Sequence, residues 1–103
     1  MIKAVVAGAA GRMGKRLVAL LHEDPRFQVV GALERPGHAD LGRDAGEVAG
    51  TGPIGIAVTD EIDTLLPGAQ VVFDFTAPAA AMAHLEAASR RGVAMVVGTT
   101  GLS

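Results

Sequence analysis

Residues Ile2 to Gly14, "IKAVVAGAAGRMG", carry a nearly unbroken apolar run into three glycines, Gly8, Gly11 and Gly14, spaced three apart. No other feature constrains the fold as strongly. A short run apolar on both faces suits a strand of a parallel sheet covered by helices on each side. Fixing glycine costs conformational entropy. Three of them at the hand-over from strand to helix imply a tight turn and a close approach of backbone or ligand.

The same apolar type recurs at Phe27–Leu33, Val71–Phe75 and Val93–Val97, and more weakly at Ile56–Val58. Helical patterns lie between. From Gly11 to Glu23 the residues Met13, Leu17, Leu20 and Leu21 fall on one helical face, and Asp24-Pro25 ends the helix. Asp60–Leu66 predicts a short helix with Thr59 or Asp60 as cap and Pro67-Gly68 as stop. Pro78–Arg91 predicts a longer one, with Pro at its start, Arg90 and Arg91 in its last turn and Gly92 beyond. Thr76 is a candidate N-cap for it, and Asp74 a candidate for bonding backbone amides at the strand end. Pro36–Gly55 carries six glycines. A loop of that length is uncommon unless functional or mobile, and a short helix is expected inside it, around Asp40–Val48.

The element order β-α-β-loop-β-α-β-α-β predicts one α/β domain over residues 1–103. Right-handed crossovers make it a doubly wound, Rossmann-like parallel sheet with strand order 3-2-1-4-5. Composition narrows what such a domain does. A net charge of −2 and an aromatic content of 3% offer neither a basic face for a nucleic-acid backbone nor platforms for stacking bases. The absence of cysteine excludes disulfides, thiolate metal sites and thiol catalysis. The N-terminus lacks the long apolar stretch of a signal peptide, and no run reaches the ~20 residues of a membrane span. A cytoplasmic protein is expected.

In a doubly wound sheet, ligands bind beyond the C-terminal strand ends, where the strand order reverses. The turn after the first strand lies there. Gly8 permits the tight turn, Gly11 lets backbone approach a phosphate, and Gly14 lets the helix pack against the sheet. Free N–H groups at the helix start, over Gly8, Ala9, Ala10, Gly11, Arg12 and Met13, suit a pyrophosphate, and Arg12 adds charge. Alone, this G-x-x-G-x-x-G is weak, because Ala10 stands where the common pattern has its second glycine. It gains weight from Glu34, 20 residues beyond Gly14 at the end of the second strand, where an acidic residue accepts hydrogen bonds from an adenosine ribose. Glu34 favours NAD(H), and the adjoining Arg35 can receive the 2′-phosphate of NADP(H), so both NADH and NADPH are expected cofactors. The other edge of the site is "VVGTTG", where Gly98, Thr99 and Thr100 offer close approach, hydroxyls and amides. His22 suits a helix C-terminus, His84 reads as an exposed helix residue, and His38 falls in the glycine-rich loop near a ribose. The three histidines have no metal-ligand spacing, and no residue in the chain reads as catalytic.

Together, "VAGAAGRMG", "ALER", "LGRDAGEVAG", "DFTAP" and "VVGTTG" resemble, in order and along the whole chain, the bacterial dihydrodipicolinate reductase family of the diaminopimelate and lysine pathway. The resemblance implies a reductase that uses NAD(P)H to reduce a cyclic imine dicarboxylate. It implies Gly8 to Met13 on the cofactor phosphates, Glu34 and Arg35 at the adenosine ribose, Gly98 to Thr100 at the nicotinamide, and Thr100 at the substrate carboxylate. Family members continue well beyond this length, with a paired-histidine stretch, a nearby lysine, a Ser-Gly-Thr segment and the sheet that assembles a homotetramer. The resemblance therefore implies the cofactor-binding half, inactive by itself and not tetrameric by itself. Two other readings are a freestanding nucleotide-binding or sensory module, and another reductase on the same fold, such as an aspartate or sugar dehydrogenase.

Overall fold

The computed structural model describes residues 1–98. Five parallel strands form one sheet: β1 (Ile2–Ala7), β2 (Phe27–Leu33), β3 (Val58–Thr59), β4 (Val71–Asp74) and β5 (Ala94–Val97), in the order β3-β2-β1-β4-β5. That is the expected strand order. The helices are α1 (Arg12–Glu23), α2 (Ala45–Ala49), α3 (Ile62–Leu65), which runs into a 3₁₀ turn at Leu66–Gly68, and α4 (Pro78–Arg90). Among the described residues, no helix is long and apolar enough to cross a membrane.

The strand β1 shows why the sheet is covered twice. Its side chains alternate between faces, and both faces are dry. Ala4 and Val6 pack with Val18 and Leu21 of α1, and Val5 and Ala7 pack with Leu66, Val72 and Ala88 on the other side. All four β1 residues are fully buried. The β1–β2 register slips between Ala4 and Val5.

Three local expectations are corrected. The buried face of α1 is Gly14, Val18 and Leu21, whereas Met13 and Leu20 are exposed. The same 3.6-residue period is rotated by one position, because a glycine does the contacting at the start of the stripe. The helix inside Pro36–Gly55 is α2, shorter and later than expected, with Asp44 as its cap and Gly50 in the left-handed region as its stop. One Asp44 oxygen accepts from the amides of Gly46 (2.8 Å), Glu47 (3.2 Å) and Ile54 (3.0 Å), and the other from Gly55 (2.7 Å). The Ile54 amide is the strongest influence holding the Asp44 carboxyl below the usual range, with Gly55, Glu47 and Gly46 adding to it against a burial cost. Finally, α3 is capped by neither Thr59 nor Asp60. Its N-cap is Glu61, with no side-chain cap bond, while the Thr59 hydroxyl accepts from the Glu61 amide (3.3 Å).

Candidate nucleotide site at the C-terminal strand ends

The turn between β1 and α1 takes its shape from backbone that only glycine tolerates. Gly8 has φ +83, and a side chain on Gly14 would lie 2.0 Å from the Gly8 carbonyl oxygen. The turn therefore folds flat onto the first turn of α1. Its own amides are largely committed within the protein. Gly8 and Ala9 donate to the Leu33 carbonyl (2.9 and 3.1 Å), and Gly11 donates to the Gly8 carbonyl (3.0 Å). Ala10 donates to Oε2 of Glu34 (2.9 Å). The first bond into the helix runs from the Lys15 amide to the Gly11 carbonyl (2.9 Å). The amides of Arg12, Met13 and Gly14 thus start the helix without a helical acceptor.

No side chain caps that helix start, and its first turn holds no acidic residue. Arg12, Lys15 and Arg16 are exposed there. Cations at a helix N-terminus oppose the helix dipole. An anion bound at the turn would reverse the sign of that contribution, so the local charge pattern fits an anionic ligand.

Glu34 sits where β2 ends, half-buried. Besides the Ala10 amide on Oε2, it accepts the Arg35 amide on Oε1 (3.1 Å). A carboxylate offers about four lone-pair sites, so Glu34 can tie down the glycine turn and still accept from a ligand. A cavity of about 390 Å³ opens beside it. Gly8, Gly11, Glu34, Arg35 and His38 border it on one side, and Thr76, Ala77, Ala80 and His84 on the other. A smaller hollow of about 170 Å³ lies over Gly8, Gly11, Arg12, Met13, Phe75 and Gly98. Gly98 donates to the Asp74 carbonyl (2.8 Å), and a side chain on it would strike the Phe75 ring at 2.3 Å.

At the end of β4 stands Asp74, the one fully buried charged residue among the described residues. Its Oδ1 accepts from the Thr76 amide (2.8 Å) and the Thr76 hydroxyl (2.5 Å). Its Oδ2 lies 2.6 Å from Nδ1 of His84, whose side chain is only 16% exposed. Burial pushes the Asp74 carboxyl up, and the bonds from His84 and Thr76 more than reverse this, leaving it below the usual carboxylate range. Among the described residues, no three His, Cys, Asp or Glu side chains gather as a metal site.

A family model described as "Dihydrodipicolinate reductase, N-terminus" matches residues 2–103. The chain belongs to that family. A curated relative, 4-hydroxy-tetrahydrodipicolinate reductase from Anaeromyxobacter dehalogenans strain 2CP-C, is 48% identical over all 103 residues, which are 38% of its own length. The chain thus spans well under half of the dihydrodipicolinate reductases it matches. A dipicolinate-bound dihydrodipicolinate reductase from Paenisporosarcina sp. TG-14 superimposes with a TM-score of 0.76 at 24% identity, over 98% of this chain and 38% of that one. An aspartate semialdehyde dehydrogenase with NADP from Candida albicans superimposes with a TM-score of 0.75 at 21% identity, over 97% of this chain and 30% of that one. The fold is common to both, so the family membership rests on the sequence match.

Within this member of the dihydrodipicolinate reductase family, the structure brings Gly8, Gly11, Glu34 and Arg35 to one cavity and Gly11, Arg12, Met13 and Gly98 to the adjoining hollow. The Ala9 side chain is core, 1% exposed. Thr99 and Thr100 lie outside the described residues. Thr76 is not the N-cap of α4, a place taken by Ala77 without a side-chain bond. His84 is not an exposed helix residue. Its ring is held by Asp74 from the neighbouring strand, a partner ten positions away that no helical pattern reveals. The available signal was an aspartate ending an apolar strand, followed by a histidine one crossover later.

Proposed function

We propose that the chain is the NAD(P)H-binding domain of a 4-hydroxy-tetrahydrodipicolinate reductase. The observation that carries the reading is the α1 start: uncapped, basic, and pressed against a turn that glycine alone can make. In this reading, Arg12 and Met13 hold the cofactor pyrophosphate with their amides, and the Arg12 guanidinium adds a charge-assisted contact. Glu34 accepts from the hydroxyls of the adenosine ribose. Arg35 makes no ion pair with another described residue and is available to a 2′-phosphate. Gly98, Thr99 and Thr100 line the nicotinamide end.

When bound, the nicotinamide supplies a hydride to a cyclic imine dicarboxylate. This chain's contribution is to bind and orient the dinucleotide, since hydride transfer needs donor and acceptor held at near-attack distance. The substrate clamp and the proton donor would come from the remainder of a longer protein, which by family resemblance is a cytoplasmic homotetramer.

Titration of the 103-residue chain with NADH and with NADPH, followed by ¹⁵N-amide NMR and calorimetry, tests the proposal. Shifts at Gly8–Met13, Glu34, Arg35 and Gly98 are expected. Shifts confined to other faces would refute it.

A further inference from the structure

We propose that His38 favours the phosphorylated cofactor: the Nε2–H of its ring donates to the 2′-phosphate of bound NADPH, beside Arg35. The inference rests on the reading above, that the cavity beside Glu34 takes the adenosine half of a dinucleotide. It gives a role to a residue which that reading leaves unused.

His38 reaches the cavity because the chain doubles back directly after β2. Arg35, Pro36, Gly37 and His38 form one turn, closed by the His38 amide donating to the Arg35 carbonyl (3.2 Å). Proline suits the first corner of such a turn, and Gly37, at φ +81, supplies the left-handed second corner. The turn sets residue 38 beside residue 35, and both border the cavity next to Glu34.

A second turn fixes the ring. The Leu41 amide donates to the His38 carbonyl (3.2 Å), and the Asp40 amide donates to Nδ1 of the ring (3.0 Å). An amide N–H can only donate, so Nδ1 holds the lone pair and the neutral ring carries its proton on Nε2. Nε2 makes no bond to another described residue. No buried side-chain nitrogen or oxygen among the described residues lacks a partner, so Nε2 is accessible. The side chain as a whole is 20% exposed. A fixed N–H donor therefore stands at the ribose side of the cavity.

The charged groups around it leave that donor free. Oδ1 of Asp40 accepts from Arg43 (2.8 Å), and its Oδ2 lies 3.9 Å from Nδ1, the nitrogen already engaged. Asp60 also borders the cavity but is exposed, where water and salt screen it. His84 gives its Nδ1 to Asp74. The ribose side thus combines one carboxylate, Glu34, with two donors, Arg35 and His38.

A 2′-hydroxyl and a 2′-phosphate use this set differently. The hydroxyl donates to Glu34 and gains little from further donors. The phosphate carries acceptor oxygens and negative charge, and a hydrogen bond to an ionised acceptor is roughly twice as strong as a neutral one. Arg35 is long and exposed, so it loses rotamer freedom when it binds. His38 is already held by its own turn and loses little.

The experiment compares NADPH and NADH by calorimetry on the 103-residue chain, with the ¹⁵N imidazole resonances followed by NMR. NADPH should move the Nε2 resonance of His38, and NADH should leave it nearly in place. His38→Asn is the informative variant, because an asparagine oxygen accepts the amide two residues on and keeps the turn, but lacks the reach of Nε2. It should weaken NADPH about tenfold and NADH by less than about twofold. Adding it to Arg35→Ala should weaken NADPH beyond Arg35→Ala alone. Equal weakening of both cofactors, as a structural role would give, would overturn the proposal with dinucleotide binding intact. So would an unchanged NADPH affinity, a double variant no weaker than Arg35→Ala, or an Nε2 resonance indifferent to NADPH. Failure of the unaltered chain to bind either dinucleotide would instead overturn the reading on which it rests. Should His38→Asn not fold, the His38 resonance in the unaltered chain decides alone.

Discussion

Two carboxylates flank β1 at the same level of the sheet, Glu34 at the end of β2 and Asp74 at the end of β4, and they work in opposite ways. Glu34 is half-buried, accepts from the Ala10 amide of the glycine turn and from the Arg35 amide, and keeps lone pairs for a ligand. Asp74 is wholly buried, and both its oxygens are engaged with Thr76 and His84. It can influence the cavity only through the residues it holds there, Thr76 and His84. The difference teaches that a charged group at a strand end can be a ligand or the support of one, and burial decides which.

The largest effect is expected where the two regions meet. Gly8 packs on the Phe75 backbone that follows Asp74, and its carbonyl packs on Gly14. Gly14→Ala places a methyl group inside van der Waals contact with backbone that cannot yield. It should cost about 4 kcal/mol or more, enough to unfold a marginal domain, as read by chemical denaturation. Next, Asp74→Ala should lower stability by about 3 kcal/mol, because two hydrogen-bonded partners lose a buried acceptor. Glu34→Ala should lower it by about 1 kcal/mol, since the Ala10 amide can turn to water. Equal losses would erase the distinction between support and ligand.

Acid tests the buried carboxylate of the pair. The Asp74 carboxyl lies below the usual range in the fold, so it contributes stability above the unfolded value of about 3.9, and that contribution is lost as pH falls through the folded value. Stability should decline below about pH 4, and Asp74→Asn should flatten the decline. Asp24 is also held low, to about 2, chiefly by its side-chain hydrogen bond to Arg26, with an amide bond from the same residue. Asp24→Asn in the Asp74→Asn background isolates its share of the slope. The smallest effect concerns cofactor choice. Glu34→Gln should weaken NADH more than NADPH, and Arg35→Ala the reverse, each by about tenfold in calorimetry. Gln is the sharper choice here, because Ala would also release the turn.

The sheet order and the bounds of β1 and β2 were legible because continuous apolar runs between turn signals have few alternatives. The glycine turn and Glu34 were legible because their spacing reflects a backbone requirement. The face of α1 was misjudged because packing there begins at Gly14, a residue with no hydrophobic signal. His84 was missed because nearly half of α4 is alanine and its apolar periodicity is weak. The bond that defines His84 crosses from strand to helix, and composition cannot report it.

Asp44 carries a consequence for the order in which the molecule assembles. Its bonds to Ile54 and Gly55 close loops of ten and eleven positions, whereas the sheet must join residues as distant as Lys3 and Gln70, 67 positions apart. The entropy of closing a loop grows with its length, and distant pairings are slow to form. The glycine-rich excursion can therefore take its shape as a local unit before the parallel strands find their register. Asp44→Ala should then slow folding, while substitutions at the β4–β5 edge should mainly hasten unfolding. The stretch from Asp44 to Gly55 would be among the first parts of the chain to take its final form.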